Sequence, residues 1–301
     1  MARDYMTRFH AADGTVRAFA VSSRECVEAA REAHDTYPVI TALLGRTLSA
    51  AALMGWMMKD PCDLLTVQLQ GDGPAKGVTV TADSHGHVKG FARVSDVELP
   101  PKENGHLDVG GAIGKGTLTV TKDLGLKMPY SGTVPLVSGE VAEDLTYYFA
   151  ASEQTPSSVA LGVLVDTDFS VKCAGGFIIQ LMPGTAEKTI DVIEKNLKTL
   201  PSITQMLSSG MYPEDMIERA LSSLSPVEEE RHSVSFSCDC SRQRVLDTIL
   251  TLPKKDIYEM ISEKKPVEVN CSFCGTDYIF ETDELLEGAS YRFESRSGEL
   301  R

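Results

Sequence analysis

The chain has 301 residues, 42% of them hydrophobic and 24% charged, with a formal net charge of −14. That is ordinary globular composition, with room for one large domain and a smaller one and enough length to bury a core without a metal. The acidic balance argues against a protein built to grip nucleic-acid phosphates, whose footprint is basic.

The start of the chain is polar and turns at Asp13-Gly14, so no signal peptide is read there and the cytoplasm is the expected compartment. Phe9 before that turn and Val16, Phe19 and Val21 after it predict a hairpin. Two helical stretches follow, at 23–34 and 39–58. The second is the longest apolar run, but Arg46 near its middle and Gly45, Gly55 and several alanines fit a buried helix better than a membrane span. Strands are expected at 64–70, 78–82 and 88–94, separated by Gly71-Asp72-Gly73-Pro74 and Ser84-His85-Gly86-His87. Further strands at 116–121, 134–137, 161–165 and 176–181, with a helix near 140–152, complete the first region. The fold class is α+β, with a mainly antiparallel sheet and helices over residues 1–184.

The texture changes after Met182-Pro183-Gly184. Between 186 and 230 no strand pattern is read, only short helical pieces between breakers. Ile190, Ile193, Leu197 and Leu200 form one stripe, Ile203, Met206 and Leu207 another, and Met216, Ile217, Ala220 and Leu221 a third. Such stripes either pack permanently on the main sheet or form a detachable cover. This helical linker spans 185–230, and Ser225-Pro226 with Glu228, Glu229 and Glu230 marks its end. The third region, 231–301, is a small cysteine domain.

Four of the seven cysteines lie there, as Cys238-Asp239-Cys240 and Cys271-Ser272-Phe273-Cys274, with thirty residues between the pairs. Two thiolate pairs separated by a long gap are the pattern for one tetrahedral zinc ion, so Cys238, Cys240, Cys271 and Cys274 are the candidate ligands. An iron–sulfur cluster also takes four cysteines, but its usual spacings differ. Val267 and Val269 lead into the second pair and Tyr278-Ile279-Phe280 leaves it, with Gly275 easing the turn. Oxidising either pair removes ligands, and a disulfide across C-x-C closes a small, strained and therefore reducible ring. Chemistry alone leaves a redox sensor and a structural staple both open.

Other chemistry is thin. Cys26, Cys62 and Cys173 are read as buried small hydrophobes. The stretch Gly110-Gly111-Ala112-Ile113-Gly114-Lys115-Gly116-Thr117 fails the phosphate-loop pattern and reads as a glycine-rich turn before a strand. His85 and His87 read as an exposed hairpin turn. No nucleophile elbow or zinc-protease helix is present, and the Cys271 pair lacks a thioredoxin context. No catalytic residues are assigned, and the chain is not expected to be an enzyme. A zinc-ribbon nucleic-acid binder is disfavoured because residues 226–301 carry 10 basic and 16 acidic side chains.

Taken together, these segments resemble the heat-shock protein 33 family, the redox-regulated holdase chaperones of the bacterial cytosol. The likeness is carried by the two cysteine motifs and their gap and by Gly175-Gly176-Phe177-Ile178-Ile179-Gln180-Leu181-Met182-Pro183-Gly184. Ser152-Glu153-Gln154-Thr155-Pro156-Ser157-Ser158-Val159 and Gly45-Arg46-Thr47 add to it. The resemblance implies a reduced, inactive form with one zinc per chain on all four cysteines. It implies an oxidised form with disulfides Cys238–Cys240 and Cys271–Cys274, zinc released, the linker loosened and the chain a homodimer. Unfolding proteins are then the implied partners, with no nucleic acid and no membrane, held without ATP to prevent their aggregation under oxidative stress. Ile190, Ile193, Leu197, Met206, Leu207, Met216 and Ile217 are the candidate client contacts.

Overall fold

The computed structural model describes residues 4–298, which divide after Ser237 into two compact units. Sheets and helices mix as the α+β class expects. The first unit holds two sheets. One joins β1 (Tyr5–Ala11), β2 (Val16–Ser22), β8 (Ser157–Val165), β9 (Val171–Leu181) and β10 (Val227–Ser233) in the order β10-β1-β2-β9-β8. The other joins β3 (Leu64–Gly71), β4 (Gly77–Asp83), β5 (His87–Ala92), β6 (Gly116–Asp123), β7 (Tyr130–Pro135) and β11 (Ser235–Phe236) in the order β11-β5-β4-β3-β6-β7. All pairings in these sheets are antiparallel except the short one between β11 and β5.

Helix α1 (Arg24–His34) follows the first hairpin, and α2 (Pro38–Trp56) lies against strands of both sheets. Every α2 residue but Pro38 and Arg46 is buried, as befits a helix that is apolar all round. It is long and apolar enough to cross a membrane, yet 94% of its apolar window is buried inside the protein. Arg46 forms a 2.6 Å ion pair with Glu140 through Nη1, while its Nε is buried without a partner. Burial alone would raise the Glu140 pKa, but hydrogen bonds from Lys102 and Arg46 outweigh it and lower the value. Close packing explains Gly45, where a Cβ would meet a Val27 methyl at 2.5 Å. The glycine-rich stretch contains the single-turn helix α3 (Val109–Ile113), with Asp108 accepting from the Gly111 N–H, before β6 begins. Helix α4 (Ala142–Ala151) precedes β8.

The outer face of the five-stranded sheet is apolar too. Phe9, Ala18, Ala20, Phe177 and Ile179 point to it. It is covered by α5 (Glu187–Thr199), α6 (Ile203–Ser208) and α7 (Pro213–Ala220), which insert Ile193, Ile203, Met206, Met216 and Ile217. Ser202 caps α6 through a reciprocal box with Gln205, and Pro213 opens α7. These helices are too short to persist alone, so packing on the sheet holds them.

Two elements depart from the sequence reading. The acidic run lies in strand β10, paired with β1 at the sheet edge, where no strand is expected. Its backbone ladder is reinforced by the ion pairs of Arg8 with Glu229 and Glu230 and by the 2.9 Å bond from Thr7 to Glu228. Charge on an edge strand discourages further pairing, which is why it lacks an apolar signature. Cys62 is exposed, in a turn where its N–H donates to Asp60, while Cys26 and Cys173 are buried as expected.

The second unit contains α8 (Arg242–Ile249), α9 (Lys254–Ser262), the hairpin β12 (Val267–Asn270) with β13 (Asp277–Phe280), and α10 (Thr282–Gly298). Its core is small: Leu246, Ile249, Leu250, Ile257, Phe280, Leu285 and Ala289. The sequence reading assigns nothing beyond Phe280, and α10 begins two residues later; among the described residues, Leu285 and Ala289 of α10 join this core.

Met216 is fully buried between α7 and the sheet. Met216→Ala is expected to cost about 2–5 kcal/mol and to raise amide exchange in α6 and α7 well before α2. Denaturant unfolding with hydrogen-exchange mass spectrometry measures both, and unchanged exchange in those helices would show that Met216 does not anchor the layer.

Candidate metal centre

The second cysteine pair sits in the turn of the β12–β13 hairpin. The Cys271 N–H donates to the Thr276 carbonyl at 2.9 Å, and the Gly275 and Cys274 N–H groups both donate to the Cys271 carbonyl. Gly275 has φ +70°, a left-handed conformation that suits glycine. Asn270 braces the turn from one side, donating to the Gly275 carbonyl and the Asp277 carboxylate. The first pair lies just before Ser241, whose hydroxyl caps α8 by accepting from the Arg244 N–H. Arg244 reaches back to the carboxylate and carbonyl of Asp239, fixing the residue between the two cysteines.

These two turns bring all four sulfurs within 4.8 Å of one another. Contacts cross between the pairs, Cys238 to Cys271 at 3.8 Å and Cys240 to Cys274 at 3.3 Å. A tetrahedral site with zinc–sulfur bonds of about 2.3 Å requires sulfurs about 3.8 Å apart. The cluster therefore has the donor chemistry and the size to hold one metal ion, consistent with zinc. All four residues are half-buried and none is disulfide-bonded.

The sulfurs are electrostatically unequal. Burial, with its sulfur neighbours, pushes the Cys238 thiol up to about 12. At Cys274 burial opposes ionisation, but the Thr276 hydroxyl and N–H and the neighbouring thiols outweigh it and bring the value down to about 7. The Tyr278 hydroxyl donates to Cys240 Sγ at 3.1 Å, and this bond raises the Tyr278 pKa to about 12. Because a cysteine binds a metal as its thiolate, metal uptake at this cluster displaces protons. Sequence reasoning missed Thr276 and Tyr278, because a hydroxyl two or four residues past a cysteine has no distinguishing pattern.

The other candidate residues fall in the layer over the five-stranded sheet. Ile193, Met206, Met216 and Ile217 are buried there, and Leu197 and Leu207 pack against the same cluster partly covered. Ile190 is half-buried and borders a cleft with Arg17, Pro156 and Leu181. His85 and His87 occupy the exposed β4–β5 turn, with His87 bonded to Asp83 at 2.8 Å. The motif at 175–184 lies largely in β9, where it packs tightly: a Cβ on Gly176 would meet the Ala160 carbonyl at 2.2 Å.

Comparison with known proteins agrees with this arrangement. A 33 kDa chaperonin of Agathobacter rectalis is 56% identical over 284 residues, covering 94% of this chain and 99% of that one. A 33 kDa chaperonin of Clostridioides difficile is 49% identical, covering 95% and 98%. The crystal structure of a 33 kDa chaperonin, a heat shock protein 33 homolog from Thermotoga maritima, superposes with a TM-score of 0.90 at 39% identity, covering 97% of this chain and all of the other. The family model described as Hsp33 protein matches residues 4–281, and the chain belongs to that family, a family of chaperones and not of enzymes.

Proposed function

We propose that this chain is a redox-regulated, ATP-independent holdase that binds unfolding proteins and prevents their aggregation under oxidative stress. The observation that carries the reading is the cluster of four half-buried sulfurs within 4.8 Å, set in a unit whose core, among the described residues, holds seven buried apolar side chains. In the reduced state Cys238, Cys240, Cys271 and Cys274 bind one zinc ion per chain. Zinc supplies folding energy to such a module, on the order of 10 kcal/mol in zinc-finger peptides.

Oxidation removes that support. Each near-neighbour pair, Cys238 with Cys240 and Cys271 with Cys274, gives up two electrons to a peroxide, which is reduced to water. One sulfur–sulfur bond forms per pair, and the zinc leaves. Loss of the module loosens 185–230, and Ile190, Ile193, Leu197, Met206, Leu207, Met216 and Ile217 become available to clients. The layer suits this role, being three short helices held mainly by burial on one sheet face. Hydrophobic association is unselective, which fits capture of any unfolding chain. The oxidised chain works as a homodimer in the cytoplasm, without nucleic acid or membrane, and its −14 charge keeps loaded complexes in solution.

The test is light scattering from a heat-unfolding client, with a metal-binding dye in the same cuvette. Peroxide-treated, gently warmed protein should suppress scattering and release zinc, and the reduced, zinc-loaded protein should do neither. Equal scattering with zinc retained would leave the cysteines as a structural staple. Independently, Cys271→Ser removes one of four ligands and should weaken zinc binding and unfold the second unit even in reductant. Zinc retention equal to the parent, measured by chelator competition, would refute the ligand assignment.

A further inference from the structure

Tyr278 stands in β13 directly across from Val269 of β12. Its ring packs on the small core of the second unit, and its hydroxyl donates to Cys240 Sγ at 3.1 Å. A side chain locked into the core at one end and bonded to a sulfur at the other has little freedom to move. The Thr276 hydroxyl lies 3.2 Å from Cys274 Sγ in the same hairpin. Among the described hydrogen bonds, no side chain from outside the cluster donates to Cys238 or Cys271.

We infer that Tyr278 is a positioning residue of the metal centre, holding Cys240 as a ligand and damping its attack on peroxide. This rests on the proposal that the four cysteines bind zinc. The physical basis is the hydrogen bond itself. A hydroxyl pointed at a thiolate withdraws electron density from the sulfur and orients its lone pairs. Partners that orient ligands in this way tune both affinity and reactivity.

The consequence concerns where oxidation starts. A thiolate attacking hydrogen peroxide forms a sulfur–oxygen bond and breaks the oxygen–oxygen bond. The sulfur loses two electrons, and the departing hydroxide takes a proton from solvent to become water. The neighbouring thiolate then attacks the sulfenic acid, forming the disulfide and expelling a second hydroxide. With Tyr278 in place, Cys240 is favoured for the second role over the first.

The experiment compares full-length parent, Tyr278→Phe and Thr276→Val. Phenylalanine keeps the ring on the core and removes only the hydroxyl. Tyr278→Phe is expected to weaken zinc binding about ten-fold by chelator competition. It should also move the thiolate-to-metal charge-transfer band of the cobalt(II)-loaded protein to longer wavelength. Brief peroxide with dimedone, a sulfenic-acid trap, followed by mass spectrometry, should show several-fold more label on Cys240. Thr276→Val should instead raise label on Cys274, a residue-by-residue response that a merely structural role would not produce. An unchanged cobalt band and unchanged label at Cys240 would overturn the inference while the parent still binds zinc. A parent that binds no zinc would overturn the metal reading beneath it.

Discussion

Strand β2 has no solvent face, and the first unit is arranged around that constraint. Phe19 and Val21 point into the cluster built on α2, while Val16, Ala18 and Ala20 point into the cluster built on the short helices. A strand apolar on both sides needs two covers. On one side the cover is a nineteen-residue helix buried almost all round. On the other it is three helices of 13, 6 and 8 residues. The two covers have the same chemistry but unequal permanence, because a long helix fully enclosed can open only with the whole core, whereas a short one depends on one face of contacts.

The second unit shows the opposite economy. Beside its few apolar residues, polar side chains hold the two cysteine turns: Asn270 donates to the Gly275 carbonyl, Arg244 to the Asp239 carbonyl, and the Ser241 hydroxyl accepts from the Arg244 N–H. A module with so small a core is sensitive to whatever occupies its sulfur cluster. The relatives of this chain are named chaperonins, a name that concerns the handling of other proteins.

Much of this was legible in the chain. The hairpin at Asp13-Gly14, the run of strands through 64–92, the buried helix at 39–58 and the three linker stripes all follow from periodicity and turn residues, and the cysteine spacing placed the cluster. What escaped did so for identifiable reasons. Strand β10 is held by its ladder and by ion pairs to Arg8, so its residues carry no alternation of apolar and polar. Cys62 is exposed because a turn, not a core, receives it. Tyr278 and Thr276 reach the sulfurs only through the register and turn of one hairpin, which no linear pattern encodes.

The pairing of β10 with β1 has a topological consequence. The helical cover leaves the sheet at the end of β9 and returns to it at β10, three strands away across β2 and β1. Those anchor points are about 14 Å apart at the usual strand spacing. The cover is therefore a loop stitched at both ends to the surface it hides. Helices that lift off cannot diffuse away, and their re-docking is a unimolecular step at high effective concentration. A layer moored in this way re-docks on the face beneath it at a rate that does not depend on protein concentration, so the covered arrangement is restored without any search for a partner.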